Sequence, residues 1–508
     1  METAEQIQSN AVLADLLEGL VTVDPADLES MQVVVTGVQI DSRELKAGDL
    51  FIALFGRNFD ARDYIDDVIA AGASAVLAES GTDWQGVQVR QGVPIIAVDN
   101  LAARTSEIAA RFFGRPSEAL SVIGITGTNG KTSCSQFIAQ ALTAVGYKCG
   151  VMGTLGYGLS SDLHETTLTT PDAVFTQMAL AQMLQENIDP VAMEVSSVGL
   201  HQKRVAAVRF ESAIFTNLSR DHLDYHESME AYAENKRKLF TMPGLQSAII
   251  NLDDPYALSM INAIGSDVEV FTYSTENPIA TVHARTFEFR EDGYSAEIST
   301  PIGEGSISGQ LLGFFNFSNV LAVVASLLAY LPQRKELQIA ELCELVSQLR
   351  PVTGRMEIIG ESSEVTVVVD YAHTPDGLRC ALEALQAHFK GKIWCVFGCG
   401  GNRDSGKRPL MGEIAEQHAD HLILTDDNPR NEQGDEIIAH ISKGITDQSR
   451  IRIIRDRGEA IDFAISNARS GDVVLIAGKG HENYQEADGV RQIFSDASRA
   501  RLALNNRQ

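Results

Sequence analysis

The stretch SVIGITGTNGKTSCSQFIAQALTAVG, residues 121–146, runs from an apolar segment through a glycine-rich turn into a segment with helical apolar spacing. Val122–Thr126 reads as a buried strand, and the residues from Lys131 onward read as a helix that begins immediately after the turn. This succession surrounds Gly127, Thr128, Asn129 and Gly130 with backbone N–H groups and the positive end of a helix, the environment phosphate oxygens need. Lys131 would neutralise β/γ oxygens, the Thr132 hydroxyl would hold Mg²⁺, and Ser133 adds a second hydroxyl beside it. The turn departs from the common G-x-x-x-x-G-K-[ST] spacing: position 125 is Ile, and the nearby glycines are Gly124 and Gly127.

Working outward, short strands and helix-length segments alternate along the whole chain, which predicts an α/β fold. With 508 residues, about three domains are expected. The pattern divides into residues 1–100, a small α/β domain; 101–350, which holds the glycine turn; and 351–508. In the last segment VTVVVD, KIWCVFG, HLILTDD, IRIIRD and DVVLIAG alternate with helices. That is a parallel sheet whose ligands belong beyond the strand C-termini.

Composition narrows the function. Lys and Arg number 41 against 68 Asp and Glu, a net charge of −27, which argues against binding nucleic acid or an anionic membrane surface. The six cysteines form no C-x-x-C pair and read as free thiols of a cytoplasmic protein. The opening METAEQIQSNAVLADLLEGL has no basic residue, unlike a secretion signal. The uncharged run from Ser306 to Gln333 is interrupted by Asn316, Ser318, Asn319 and Ser326, and is expected to be a loop at Gly313–Asn316 followed by a buried helix that does not insert into a membrane.

Two more strand ends carry polar groups. Glu194, at the end of PVAMEV, could supply a hard oxygen to a magnesium–nucleotide site. NLSRDHLDYH, from Asn217, brings His222 and carboxylates to the end of another strand. Taken singly, Glu194 could merely cap a neighbour and the residues after Asn217 would more often be a turn with solvated charges, but the recurrence of polar groups at three strand ends favours a nucleotide site.

These motifs resemble the Mur ligases, builders of the peptidoglycan precursor, and among them the MurE-type branch. The resemblance extends to DSRELKAGDLF from Asp41, TTPD from Thr169, GFFNFSN from Gly313, GRME from Gly354, DYAHTPDGL from Asp370, GCGGNRDSGKRP from Gly398, DDNPR from Asp426 and GKGHE from Gly478, nearly the whole chain. It implies an N-terminal UDP-binding domain, a central ATPase-like domain and a C-terminal Rossmann-like domain. It also implies an ATP-dependent ligation in which a carboxylate is phosphorylated and an amine displaces the phosphate. The substrates implied are UDP-MurNAc-L-Ala-D-Glu and meso-diaminopimelate, joined by a monomer.

By the same resemblance Thr132 and Glu194 look like ligands of the ATP magnesium, and His222 like a ligand of a second ion. Lys236, in AYAENKRKLF, matches a lysine carbamylated by CO₂, with Lys238 as the outside candidate; only a neutral amine reacts with CO₂, so its site must depress the pKa. Asn316 matches an adenine contact, and Arg355 and His373 approach the phosphates. Ser42, Thr169, Thr170, Ser196 and Arg204 match contacts to the sugar nucleotide and its peptide. Arg403, Asp427, Asn428, Arg430, Gly478 and Glu482 match the diaminopimelate pocket. Arg430 is the discriminating residue: a guanidinium grips the extra carboxylate that L-lysine lacks. Two departures stand out. Val198 follows Ser196-Ser197 where relatives often have His, and Asp60-Ala61 replaces Asp-Gly, which leaves the local turn open.

Three other readings follow from subsets of these motifs: the L-lysine-adding form of the enzyme; a folylpolyglutamate-synthetase-like ligase, which has no need of DSRELKAGDLF; and, from GTNGKT alone, an ATPase switch.

Overall fold

The computed structural model describes residues 10–22, 24–56, 60–166, 168–290, 293–360 and 364–507, so the first nine residues of the opening segment lie outside the described residues. The chain forms two compact units, and passes between them within the strands Val122–Thr126 and Ser212–Phe215. One unit holds residues 1–124, 146–213 and 238–246; the other holds 125–145, 214–237 and 247–508.

The first unit contains a five-stranded sheet ordered Gly37–Gln39, Asp49–Ala53, Ala75–Glu79, Val93–Val98, Val87–Arg90, parallel except for the last strand. Strand alternation sends Leu50 and Ile52 to one face with Leu77 and Ile96, under the helix Leu101–Phe112. Phe51 and Ala53 go to the other face with Ile65 and Val68. Both faces are covered, which is why these strands read as unbroken apolar runs. Asp60 settles the open turn. Its carboxylate caps Arg62 N at 3.0 Å and opens the 3₁₀ helix Ala61–Tyr64, so a conventional backbone suffices and glycine is not required at Ala61. The same unit carries Asp162–His164, Gly156–Leu159, Gly150–Gly153 and Val191–Glu194 as successive neighbours, the last pair parallel.

In the second unit Ser247–Asn251, Glu269–Ser274 and Val282–Arg290 run parallel, and Gly293–Thr300 and Gly303–Gly309 complete the run antiparallel. The uncharged stretch is a buried 17-residue helix, Phe314–Tyr330. Among the described residues no helix is long and apolar enough to cross a membrane. The expected loop at Gly313–Asn316 is shorter than predicted. Gly313, at φ +90°, caps the helix, and Asn316 lies in its first turn with its side-chain amide donating to Leu312 O at 2.9 Å.

The unit ends in a six-stranded sheet ordered Glu357–Ile359, Thr366–Asp370, Val473–Ala477, Ile393–Phe397, His421–Leu424, Ile451–Ile453. Only the edge pair is antiparallel. Helices Pro375–His388, Lys407–His418 and Gly434–Ser442 bury one face, and Arg457–Asn467 and Asp496–Asn506 bury the other. DYAHTPDGL, GCGGNRDSGKRP, DDNPR and GKGHE therefore all begin at or just beyond strand C-termini, where a doubly wound sheet binds its ligands.

Candidate active site

The glycine turn connects its strand to the helix Lys131–Ala144, with Gly130 at φ +87° as the residue before the helix. A side chain there would be left-handed and would meet Asn319 Oδ1 at 2.5 Å, so glycine is required twice over. The irregular glycine spacing is offset by bracing from the neighbouring strand end. Thr128 N donates to Asn217 O and Asn129 N to Asn217 Oδ1, both at 2.9 Å, while Asn217 Nδ2 and Thr216 Oγ1 donate to Asn129 O. Lys131 Nζ donates to Gly127 O and Thr128 O, each at 2.8 Å, so its charge stands over the turn. Thr132 and Ser133 are both buried in the first turn of the helix.

Lys236 is 1% exposed and donates to Gly127 O at 2.7 Å, with its ammonium over the Tyr232 ring. Burial, then the nearby Lys131 charge, push its pKa well down, against the opposing pull of Asp221. Arg237, by contrast, faces outward and pairs with Glu234. Lys238 is half-buried in the 3₁₀ turn that follows and belongs to the other unit.

His222 adopts φ +54° and stands 3.5 Å from Asp221, which also faces His373 at 3.8 Å. Burial and the Lys236 and Lys131 charges outweigh Asp221 and bring His222 down to about 4, leaving a neutral imidazole with a lone pair to give. Burial would raise Asp221, but His373, His222 and Lys407 more than reverse it, so the carboxylate stays ionised.

Arg355 donates to Thr132 Oγ1 at 3.0 Å and lies over the Tyr371 ring, with its Nε buried and unpaired among the described residues. His373 Nδ1 is 2.8 Å from Tyr371 O. Asn316 reaches the turn through Asn319, whose amide approaches Asn316 Oδ1 at 3.4 Å.

The loops beyond the C-terminal sheet gather the remaining group. Asn428 N donates to Asp427 Oδ1 at 2.7 Å, and Asn428 Nδ2 to Glu482 Oε2 at 2.8 Å. A side chain on Gly478 would stand 2.5 Å from Asp427 Oδ2. Arg430, at φ +53°, donates through its guanidinium to Gly401 O at 2.8 Å, and its backbone pairs with Glu486 and Asp488 in and after the strand Tyr484–Ala487. Arg403 is exposed on the neighbouring loop, its guanidinium 3.5 Å from Asn402 O. Lys479, Tyr371, Asp370, Asp221 and Arg457 were not singled out in the sequence. The first four lie within GKGHE, DYAH and RDH, which was the available signal; Arg457 lies in none of the motifs.

In the other unit Glu194 is 1% exposed, and its two oxygens accept from Thr154 N at 2.9 Å and Thr154 Oγ1 at 3.1 Å. Thr169 Oγ1 is 3.0 Å from Thr154 Oγ1; Thr170 Oγ1 donates to Glu194 O and accepts from Ser196 N. Arg204 donates to Thr170 O at 2.6 Å. Thr169, Thr170, Glu194, Ser196 and Arg204 thus form one cluster, and the half-exposed Val198 lies on the short helix that Ser196 caps. Ser42 lies in the turn after the strand Gly37–Gln39. A cavity of about 510 Å³ in this unit is lined by Phe55, Asp60, Arg62, Glu79, Ser80 and Trp84 rather than by Ser42, and its acidic wall does not suit a diphosphate.

Among the described residues no group of three or more His, Cys, Asp or Glu side chains is arranged to hold a metal ion. A magnesium–nucleotide site takes few protein ligands and draws the rest from phosphate and water. Within the second unit the donors that could serve one are the Thr132 hydroxyl, which accepts from Arg355, and the neutral His222; within the first unit the carboxylate of Glu194 is buried.

Comparison with known proteins matches residues 34–113 to the Mur ligase family catalytic domain, 125–327 to the Mur ligase middle domain and 354–480 to the Mur ligase glutamate ligase domain. UDP-N-acetylmuramoyl-L-alanyl-D-glutamate–2,6-diaminopimelate ligase of Pseudomonas aeruginosa is 48% identical over 472 residues, 93% of this chain and 95% of that one. The chain belongs to the Mur ligase family. The ligase of the same name from Coxiella burnetii is 46% identical over 93% of this chain and 96% of its own. A solved structure of a ligase with this name superposes with TM-score 0.67 at 35% identity, covering 98% of this chain and 99% of that one. The chain is accordingly an ATP-dependent, amide-forming Mur ligase with the family's three-domain α/β fold. The match at 34–113 spans DSRELKAGDLF, the segment for which a folylpolyglutamate synthetase has no need.

Proposed function

We propose that this Mur ligase joins meso-diaminopimelate to the D-glutamate γ-carboxylate of UDP-MurNAc-L-Ala-D-Glu, converting ATP to ADP and phosphate and yielding UDP-MurNAc-tripeptide. The observation that carries the choice of amino acid is Arg430, whose guanidinium is held by Gly401 O and whose backbone pairs with Glu486, the residue that also donates to Asn428 of the Asp427–Asn428–Glu482 group.

The chemistry follows from the leaving group. A γ-carboxylate oxygen attacks the γ-phosphorus and ADP departs; the neutral amine then attacks the acyl carbon, phosphate leaves with the C–O electron pair, and the proton lost by the nitrogen passes to the departing phosphate. Lys131 exchanges its bonds to Gly127 O and Thr128 O for phosphate oxygens, and Arg355 turns from Thr132 toward the same phosphates. Of the second unit, Thr132 would serve the ATP magnesium, and His222 and Lys236 as its carbamate a second ion; of the first unit, Glu194 is the residue that matches a magnesium ligand; the metal when bound would offset charge on the transferring phosphoryl group. Burial and the Lys131 charge push the Lys236 pKa down and so favour the neutral amine, the form that adds to CO₂, losing a proton as it becomes an anion. Asp427 and Glu482 receive the distal ammonium, and Arg403 and Arg430 the distal carboxylate. Thr169, Thr170, Ser196, Arg204 and Ser42 serve the sugar nucleotide and its peptide.

With L-lysine bound, the half-buried Arg430 would face an ammonium and lose the two charge-assisted hydrogen bonds that a carboxylate offers, so L-lysine should bind more weakly. The test is one incubation with ATP, Mg²⁺, UDP-MurNAc-L-Ala-D-Glu and equal meso-diaminopimelate and L-lysine, read by product mass. The diaminopimelate tripeptide should dominate. Equal incorporation of lysine overturns the amino-acid assignment, and steady phosphate release without the UDP substrate overturns ligation.

A further inference from the structure

Lys479 is 0% exposed, and its ammonium donates to Asn428 Oδ1 at 3.0 Å and Glu482 Oε2 at 2.8 Å. Asn428 Oδ1 also accepts from Glu486 N at 2.9 Å, while Asn428 Nδ2 donates to Glu482 Oε2. Only one orientation of the amide satisfies this set. Turned over, its NH₂ would face an ammonium and a backbone N–H, and its carbonyl a carboxylate. Among the described residues Nδ2 makes one hydrogen bond, so its second hydrogen is available to an incoming carboxylate. Glu482 is likewise fixed through one oxygen, leaving Oε1 for an ammonium.

We propose that Lys479 is a positioning and specificity-determining residue: it locks Asn428 with its NH₂ toward the amino acid's distal carboxylate and adds a buried positive charge that opposes any side chain ending in an ammonium alone. The inference rests on the diaminopimelate reading above. It extends discrimination beyond Arg430. Without the ammonium, Asn428 keeps only its bonds with Glu486 N and Glu482, a weaker hold on its orientation, and the pocket no longer carries the charge that repels the ε-ammonium of L-lysine.

The test compares Lys479→Met with wild type, measuring kcat and KM for meso-diaminopimelate, L-lysine and ATP. Losing hydrogen bonds to a charged group predicts a rise of about tenfold or more in KM for meso-diaminopimelate. Its preference over L-lysine should fall by about the same factor, while KM for ATP stays unchanged. KM does not depend on how much of a preparation is active, so partial folding does not obscure the result. Lys479→Met/Glu482→Gln, which leaves no orphaned carboxylate, serves as the second variant and should show the same loss of preference. A lower kcat with KM and preference unchanged would mark Lys479 as structural and overturn the proposal, as would failure of both variants to fold. Wild-type enzyme that makes no diaminopimelate tripeptide would overturn this proposal and the function together; an active wild type with unaltered variants overturns this one alone.

Discussion

Replacing Arg457 with Met should destabilise the C-terminal sheet severely, and the structure sets the size of the effect. Arg457 and Asp496 are each 0% exposed and joined by two 2.7 Å hydrogen bonds, linking the first turns of the helices Arg457–Asn467 and Asp496–Asn506. The same guanidinium donates to Ala477 O at 3.0 Å and Asp426 O at 3.4 Å, the residues just before Gly478 and Asp427. Removing one partner strands a buried carboxylate, at a cost of about 3–5 kcal/mol. With a urea m-value of about 2 kcal/mol/M, the midpoint should fall by about 2 M. The chain has two tryptophans, Trp84 and Trp394. In a Trp84→Phe background, Trp394, 9% exposed on the strand Ile393–Phe397, reports this sheet by fluorescence. Arg457→Met/Asp496→Leu should recover most of the loss, because it removes the stranded charge. A single variant within about 0.5 M of wild type, or a double variant no better than the single, would refute this account of the pair.

Gly130→Ala should raise KM for ATP about tenfold, since its left-handed backbone alone costs on the order of 1–2 kcal/mol and the added methyl displaces Asn319; steady-state kinetics against ATP read it directly, and an unchanged KM would contradict the geometry. His388 accepts from Gly313 N at 3.1 Å through Nε2 and stands 2.7 Å from Arg290 O through Nδ1, so burial holds its pKa below the usual 6.5. The unfolded chain then binds the extra proton: this contribution to stability is complete above pH 6.5 and is lost as pH falls from there toward the folded value, and a melting-temperature series in which His388→Gln flattens that slope would bear it out. Lys236→Ala should cut kcat by about a thousandfold, with partial recovery on adding a small carboxylic acid; full activity in the variant would remove Lys236 from the mechanism.

Much of this was legible in the sequence because the chemistry-bearing residues cluster at strand ends, and buried parallel strands announce themselves as apolar runs. GTNGKT was readable as a turn before a helix despite Ile125. Its support by Thr216 and Asn217 was not, because strand adjacency has no local signature. Lys236 could be preferred to Lys238 in the sequence only through the resemblance, because burial has no local signature; the helix Met229–Arg237 buries Lys236 and leaves Lys238 half-buried in the turn that follows. Arg457 went unread because an isolated basic residue is normally solvated and its partner Asp496 becomes visible only in three dimensions, whereas Lys479 stood in GKGHE three residues from its partner Glu482 and only its burial was hidden. Asn316 was placed in a loop because Gly313 suggested one. Gly313 instead caps the helix, a role the following apolar run could have revealed.

The bonds of Lys131 to Gly127 O and Thr128 O bear on how nucleotide affinity should be interpreted. A triphosphate arriving at this turn does not meet an unsolvated, waiting cation; it competes with two carbonyl oxygens for the same protons. The measured dissociation constant of ATP therefore reports an exchange, and understates the pull between lysine and phosphate by whatever those carbonyls give up.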